Sequence, residues 1–507
     1  MFSIHKYNRP FIKCLLLISS LLPVSGCKKL ISINPPINST GNETTFKNDA
    51  NATSALMSVY SLLMSTEGEN ATNGGTTIYA GLMADELTPT IALPEYPYYQ
   101  FYTSHITLQN GVSDFFWRDL YKTIFYANSV MEGAAASTSP NLTDSTKRLI
   151  AGETRAARAF CYYYLINLYG PVPMPLTSDV TQTTRLKRSS LEDVTKQMIV
   201  DLSTAVDLLP ENYKVSGGEK LRINKWAATA LLSRAYLFDH KWGEAIATAD
   251  KVINSGKYNL APLNKVFQPN SDEAIWQLKL TLNDAFSGLY EPDDLVGIFR
   301  TKFAPPGFFD AIVEDPDLFS QMAVIYFLGK YHLTNSLVDA FEPNDQRKLQ
   351  WMDSIPVPKV APYYGKTIYE SVKHEKFINE GMETYAPPYY NVLRLAEQYL
   401  IRAEAKAQIG DINGAAEDLN IIRKRAGLPN TTATTKEAML TAIYHERQTE
   451  LFCEWGTRFI DLKRLNKATE ALSKIDYKQP WSDNYLLLPL PTIDIVANPE
   501  LKQNTGY

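Results

Sequence analysis

The stretch RLAEQYLIRAEAKAQIGDINGAAEDLNIIRKRAG, residues 394–427, predicts two antiparallel helices. Apolar and small residues recur there at helical spacing in two runs: Leu393, Leu400, Ala403 and Ala407, and then Ala415, Ala416, Leu419, Ile422 and Ala426. Gly410 and Asp411 mark the turn between the helices, and Gly427 marks the end of the second one. A helix pair of this length cannot bury its apolar face alone, so it must stack on others.

A second segment, residues 225–256, repeats this pattern as KWAATALLSRAYLFDHKWGEAIATADKVINSG. The corresponding positions are Leu232 and Leu400, Arg234 and Arg402, and Ala235 and Ala403. Helix pairs of this length, with small residues at the crossing points, are typical of tetratricopeptide-type repeats. The sequence therefore predicts an all-α fold built on a tetratricopeptide-like helical solenoid.

The composition of the 507 residues, 45% hydrophobic and 21% charged, is that of an ordinary globular protein. The formal net charge of -5 argues against a nucleic-acid partner, because phosphate binding needs a basic surface. The chain contains 30 Tyr, 21 Phe and 7 Trp. Most of these rings are expected to pack helices, but tyrosine in this quantity also suits wet surfaces that stack and hydrogen-bond.

Residues 1–26 have the features of a lipoprotein signal peptide. A basic start precedes the apolar run CLLLISSLLPV at residues 14–24, which is too short to span a bilayer. The run ends in VSGC, which resembles the lipobox of bacterial lipoproteins. Cleavage before Cys27 would leave that cysteine acylated on sulfur and nitrogen, and several acyl chains anchor a protein firmly to a membrane. The alternative is an ordinary signal peptide followed by a chance cysteine.

Residues 27–48 are polar and proline-containing, so we expect a lipidated tether ahead of a domain at residues 49–507. Within that domain Cys161 and Cys453 lie in apolar helical patterns, which predicts two buried free thiols rather than a disulfide. The six histidines are scattered, and no Cys/His spacing suits a metal. The sequence therefore predicts neither a metal site nor a cofactor.

Helical patterns assign the scaffold to residues 49–69, 111–260 and 390–470. In the last of these ranges, a helix capped by Thr434 and Glu437 is expected to run to Trp455, before Gly456 interrupts it. Two irregular excursions, residues 70–110 and 261–389, do not fit the solenoid. The second contains 12 of the 29 prolines and cannot consist mainly of long helices, although residues 271–279 could form a short strand. Long irregular excursions from a regular scaffold are usually functional, so we place a ligand-binding region in these two stretches.

The first excursion contains the candidate ligand contacts Tyr98 and Tyr99, together with Tyr96, in a proline-punctuated loop. Asp85 is a candidate polar partner. In the second excursion the candidate rings are Tyr290, Phe308, Phe309, Tyr363 and Tyr364. The alternative for each ring is local packing of a loop that has few other apolar residues.

Three carboxylates near the C-terminus recur at four-residue spacing: Glu446, Glu450 and Glu454. Glycosidases need two carboxylates at a defined separation, so this spacing could indicate an enzyme. However, Glu454 lies four residues before Arg458, and Asp461 lies three before Arg464, which are ordinary helix salt-bridge spacings. We therefore interpret these charges as scaffold pairs. The same interpretation applies to Glu153, Arg155 and Arg158.

Several motifs occur in a recognisable order along nearly the whole chain: CKKL at 27–30, YAGLMADE at 79–86, GETRAARA at 152–159, LYGPVP at 168–173, DEAIW at 272–276, RLAEQYLIRAEA at 394–405, ER, EL, EWGTR and DLKR between 446 and 464, LPLP at 488–491, NP at 498–499 and QNTGY at 503–507. Together they resemble the SusD/RagB family of outer-membrane nutrient-binding lipoproteins. No single motif is decisive; their order and spacing carry the resemblance.

The resemblance implies a tetratricopeptide-like scaffold with an irregular, loop-rich ligand-binding region. It also implies a lipid-anchored protein at the surface of the outer membrane, which captures oligosaccharide and delivers it to a TonB-dependent, SusC-like transporter without catalysis. Three alternatives stay open: a peptide or another nutrient as ligand, an envelope glycoside hydrolase, and a scaffold that binds only proteins.

Overall fold

The computed structural model describes residues 42–65, 70–90, 92–279, 313–315, 317–319, 330–355, 357–359, 365, 367–374 and 389–507. The chain divides into two units, residues 1–45 and 46–507, and of the first only a short helix, α1 (Asn42–Thr45), is described. The following predicted residues lie outside the described ones: Cys27, Tyr290, Phe308, Phe309, Tyr363 and Tyr364.

The described part of the second unit is mostly helical. Its helices are α2 Asp49–Leu63, α3 Thr76–Met83, α4 Pro97–Tyr102, α5 Gly111–Ala136, α6 Asp144–Tyr169, α7 Val180–Thr183, α8 Leu191–Leu208, α9 Lys225–Phe238, α10 Trp242–Ile253, α11 Asn335–Ala340, α12 Gln346–Trp351, α13 Leu395–Gln408, α14 Ile412–Arg425, α15 Lys436–Glu450, α16 Thr457–Arg464, α17 Ala468–Leu472 and α18 Thr492–Ala497. Its strands are β1 Leu87–Pro89, β2 Val172–Pro173, β3 Arg188–Ser189, β4 Ala274–Lys279, β5 Tyr331–Leu333, β6 Met352–Ile355, β7 Ile368–Ser371 and β8 Tyr389–Arg394. They pair antiparallel in twos, as β1–β5, β2–β3, β4–β8 and β6–β7.

Both predicted helix pairs are present, as α9–α10 and α13–α14, and α10 packs against α13, so the pairs stack. The repeated arginines join them. Arg234 of α9 donates to Glu397 of α13 at 2.6 Å, and Arg402 of α13 donates to both Asp250 of α10 and Asp418 of α14 at 2.6 Å. The predicted all-α, tetratricopeptide-like fold is confirmed, with the short strand pairs added.

The helix predicted to continue to Trp455 ends at Glu450 instead. Cys453 and Trp455 adopt the left-handed backbone region, with φ of 50° and 54°, and Gly456 follows with φ of 66°. Three left-handed residues so close together cannot belong to an α-helix. The two thiols are buried and free as predicted, although Cys453 lies in this turn and not in a helix.

Because of this turn, the predicted pair between Glu454 and Arg458 is wrong. Glu454 accepts hydrogen bonds from Arg394 at 2.7 Å and from Lys373 at 2.7 Å, whereas Arg458 binds Asp85. The helical rule of four residues applies only within one helix, and Glu454 lies in the turn before the helix that contains Arg458. The other predicted pair, Asp461 with Arg464, is confirmed at 2.7 Å.

Arg394, at the end of β8, is the centre of a buried group of charges. Its side chain is 2% exposed and contacts three carboxylates from two distant parts of the chain: Glu273 before β4, and Glu450 and Glu454 at the end of α15 and in the turn that follows. All three carboxylates are 8% exposed or less. Leu393, predicted as the first apolar residue of α13, lies on β8 instead. Its backbone is part of the antiparallel pairing with β4, where it lies opposite Trp276.

Residues 70–110, predicted to be an irregular excursion, are partly regular. Every residue of α3 is buried, and Gly456 of the turn approaches it so closely that a Cβ at that glycine would lie 2.6 Å from Ala80. The glycines and threonines of this segment suggest a loop, but tertiary packing favours a helix. In residues 261–389 the predicted strand is confirmed as β4. None of the described helices combines the length and the apolar character that crossing a bilayer requires.

The C-terminal segment is fastened to α3 and α4 by a buried lysine. The ammonium of Lys478 donates to the carbonyls of Leu82 at 2.9 Å and Tyr102 at 2.7 Å, and to Ser104 Oγ at 3.0 Å. Lys478 is completely buried, and this burial lowers its pKa to about 7. The lysine therefore fixes the segment around residue 478 against the end of α4.

We expect Arg394→Met to lower the free energy of unfolding by about 3–5 kcal/mol, because three carboxylates lose their shared buried partner. Urea denaturation measures this change. The control is Lys196→Met, which removes an exposed pair with Glu192 and should leave the free energy of unfolding unchanged. Equal stability of the wild type and Arg394→Met would contradict the role given to this arginine.

We expect the stability of the wild type to rise, relative to Lys478→Met, between pH 7 and about pH 10. The folded state releases the proton of Lys478 near pH 7, whereas the unfolded chain holds it to the ordinary lysine pKa. The unfolded state thus binds more protons in this interval, so raising the pH favours folding. Urea denaturation of both proteins at pH 7, 8.5 and 10 gives the difference, and parallel curves would show that burial does not lower the pKa of Lys478.

Candidate functional site

Helix α4 presents a series of tyrosines and is held on its other side by polar bonds. Pro97 occupies its first position, where the fixed φ of proline suits a helix start. The side-chain carbonyl of Gln100 accepts hydrogen bonds from the Thr107 amide at 2.9 Å and from Asn110 Nδ2 at 3.0 Å. The same Asn110 amide group donates to the Pro97 carbonyl at 3.1 Å. These bonds anchor a helix that is too short to be stable alone.

The rings of Tyr96 and Tyr98 are stacked, with centroids 5.5 Å apart and an interplanar angle of 13°. Tyr96 is 48% exposed, the most exposed of the tyrosines near α4. Tyr98 is half-buried, and its ring meets the buried Tyr331 of β5 edge to face at 5.7 Å. The stack is therefore open to solvent at Tyr96 and supported from behind at Tyr98.

Three further tyrosines extend this surface. Tyr102 stacks on Tyr477 of the C-terminal segment, with centroids 3.9 Å apart, and Tyr99 lies 6.2 Å from Tyr102. Tyr98 and Tyr102 are four residues apart and share one face of α4. We call the set Tyr96, Tyr98, Tyr99, Tyr102 and Tyr477 the tyrosine platform. Lys478, next to Tyr477 in sequence, holds Tyr477 against the end of α4 by donating to the Tyr102 carbonyl.

Three members of the platform were predicted from the sequence, and two were missed. The prediction covered Tyr96, Tyr98 and Tyr99, which the structure brings together. Tyr102 and Tyr477 were missed because their contact joins distant parts of the chain. A signal was present: residues 477–485, YKQPWSDNY, combine proline and rings as residues 94–102, PEYPYYQFY, do.

Asp85, the predicted polar partner, lies inside the protein. It is 6% exposed, and its two oxygens accept hydrogen bonds from Arg458, each at 2.7 Å. This bidentate pair joins the end of α3 to α16 and occupies the carboxylate. Contact between Asp85 and a ligand therefore stays a prediction.

Three ionisable rings at the platform and on the adjoining β5 are neutral at pH 7, although the exposed Glu95 lies close enough to act on Tyr98. Burial lowers the pKa of His332, beside Thr90, to about 4, so this ring is neutral at pH 7. Burial also raises the pKa of Tyr98 and Tyr102, which keeps both phenols protonated. Neutral hydroxyls beside open ring faces suit a ligand that has many hydroxyl groups of its own.

An open cavity of about 550 Å³ lies elsewhere, at the segment that connects α8 to α9. Three of its lining residues are Lys214, Lys220 and Lys257. Tyr213 also lines it, but the phenol group is bound within the protein: it meets the Tyr258 hydroxyl at 2.6 Å and donates to the Ile275 carbonyl at 2.6 Å. No stacked ring pair borders this cavity among the described residues. The tyrosine platform is the better candidate for an uncharged ligand.

The glutamates that could have indicated hydrolysis are bound in the interior. Glu446, Glu450 and Glu454 all pair with arginine or lysine side chains. This arrangement supports their interpretation as scaffold pairs. Across the part of the chain that the structure describes, no group of three His, Cys, Asp or Glu side chains is placed to hold a metal ion.

Comparison with known proteins places the chain. A family model described as "SusD family" matches residues 353–507, and one described as "Starch-binding associating with outer membrane" matches residues 42–237. The chain is 23% identical over 512 residues to SusD-like protein P25 of Formosa agariphila, covering 92% of this chain and 94% of that protein.

Solved structures show the same fold. A SusD superfamily protein from Bacteroides vulgatus matches with a TM-score of 0.74 at 22% identity, covering 92% of this chain and 100% of that one. A laminarin-binding SusD-like protein matches with a TM-score of 0.73 at 23% identity, covering 91% and 100%. With its two family matches in the order of the chain and relatives over nearly its full length, the chain belongs to the SusD/RagB family.

Proposed function

We propose that this protein is a surface lipoprotein of the outer membrane that captures oligosaccharide or polysaccharide on the tyrosine platform and delivers it, uncut, to a TonB-dependent, SusC-like transporter. The observation that supports this most strongly is the exposed stack of Tyr96 and Tyr98 on a helix fixed by Gln100 and Asn110. The names of related proteins agree, since one binds laminarin and a matching family model is described as starch-binding.

The chemistry of a sugar fits this surface. One face of a sugar ring carries C–H bonds and packs on an aromatic ring, while its hydroxyls need hydrogen-bond partners at the edge. The platform offers both, because each tyrosine has a ring face and a hydroxyl. A shallow surface of this kind buries little of its ligand, so binding is modest and release is fast, as delivery to a transporter requires.

A peptide or another nutrient is the nearest alternative ligand, since tyrosines also bind peptides. The wider alternatives are a glycoside hydrolase and a scaffold that binds only proteins. Incubation with glycans separates the hydrolase, because chain length must then fall. Binding of peptides in the absence of glycan binding would support a peptide-binding member of the family or the protein scaffold.

We expect Tyr96→Ala to weaken glycan binding about tenfold, a loss of ~1.4 kcal/mol, while Tm stays unchanged. Tyr96 is exposed, so its removal leaves no cavity. Tyr98→Ala should weaken binding as well and should lower Tm, because it also removes the contact with Tyr331. Isothermal titration with laminarin, starch and xylan measures the affinity.

The matched control is Tyr126→Ala on α5, a tyrosine that is 39% exposed and lies outside the platform. It should bind as the wild type does. If the Tyr96 and Tyr98 variants bind a glycan as tightly as the wild type, the platform is not the site.

We propose that Cys27 carries the lipid anchor, with residues 27–48 as the tether. We expect Cys27→Ala to move the protein from the membrane fraction to the soluble fraction, because the acyl chains are its attachment. Fractionation followed by immunoblotting measures the distribution, with Cys161→Ala as the control that leaves it unchanged. A Cys27→Ala protein that stays with the membrane would rule out this anchor.

A further inference from the structure

A second group of rings lies beyond the tyrosine platform. His105 meets Tyr485 at a centroid distance of 4.8 Å, and Tyr485 meets Trp481 at 6.2 Å, both edge to face. All three side chains are half-buried. We call them the C-terminal ring cluster.

The cluster and the platform share one support. His105 follows Ser104 in sequence, and Lys478 fixes the segment of Tyr477 to Ser104. His105 Nε2 lies 3.2 Å from the Pro480 carbonyl, which ties the next part of the same segment to the loop after α4. The tyrosine platform and the C-terminal ring cluster are therefore formed by the same two segments, α4 with the loop after it and residues 477–485. The contacts between these segments fix the position of one set of rings relative to the other.

Only part of the polar surface of the cluster is available to a ligand, because one oxygen of Asp483 already accepts from Trp481 and from Thr469. The indole N–H of Trp481 donates to Asp483 at 3.0 Å, which fixes the ring. Asp483 and Asn484 are exposed. The hydroxyl of Tyr485 is bonded to no other described residue, so it can donate to a ligand and accept from it. Rings that served only to pack the loop would not need a free hydroxyl beside an exposed carboxylate and an exposed amide.

We infer that the C-terminal ring cluster is a second glycan subsite, and that the ligand is an extended polysaccharide chain lying along the platform and the cluster at once. The inference rests on the proposed function, since it concerns the same ligand. Two linked subsites raise the affinity for a long chain above that for a short one, because the second contact is made at high effective concentration. A trisaccharide held at the platform does not gain from the cluster.

The test compares chain lengths on the full protein. Laminarin and starch serve as long probes, and laminaritriose and maltotriose as short ones. We expect the wild type to bind its polysaccharide at least about tenfold more tightly than the matching trisaccharide. Trp481→Ala should remove most of this gain and leave trisaccharide binding unchanged, whereas Tyr96→Ala should weaken both.

Tyr485→Phe gives a second, milder variant that keeps the ring contacts and removes only the free hydroxyl. It should weaken polysaccharide binding about threefold, near 0.7 kcal/mol, at unchanged Tm. Polysaccharide affinity equal to that of the wild type in both variants, or a wild type that binds long and short chains equally, overturns the second subsite while the proposed function stands. A wild type that binds none of these glycans overturns both.

Discussion

The structure depends on the burial of Arg394 among Glu273, Glu450 and Glu454. A guanidinium in the interior is costly unless carboxylates surround it, and the carboxylates are as costly without the guanidinium. The four groups come from three parts of the chain, so they meet only when β4, β8 and the end of α15 are assembled together. Arg347, Lys373 and Arg425 pair with the same carboxylates and supply further positive charge. The interaction therefore specifies the arrangement of these parts as well as adding to their stability.

This arrangement continues to the site. The turn that places Glu454 beside Arg394 also begins α16, from which Arg458 binds Asp85 at the end of α3. Beyond α3 and β1 the chain reaches α4 and its tyrosines. Lys478, from the C-terminal segment, then binds the end of α4 at the Tyr102 carbonyl. The rings are thus held in position before any ligand binds, and a surface formed in advance loses less conformational entropy on binding.

The sequence was sufficient for features that depend on neighbours in the chain. The helix pairs follow from apolar spacing, and the tyrosines at the start of α4 follow from proline and aromatic composition. Features that depend on tertiary contacts were missed. Helix α15 ends early because the residues after Glu450 turn toward Arg394 and Lys373, and α3 is helical despite Gly81 because it is completely buried. Tyr102 and Tyr477 stack across distant segments, which spacing along the chain cannot reveal.

The most direct test of the central claim is a crystal structure of the protein with a bound oligosaccharide, compared with a crystal structure without it. The account predicts a sugar ring parallel to the ring of Tyr96 or Tyr98, with its hydroxyls near the phenol oxygens, and platform rings in the same positions in both structures. A sugar bound in the lysine-lined cavity at the segment that connects α8 to α9, with the platform empty, would contradict it.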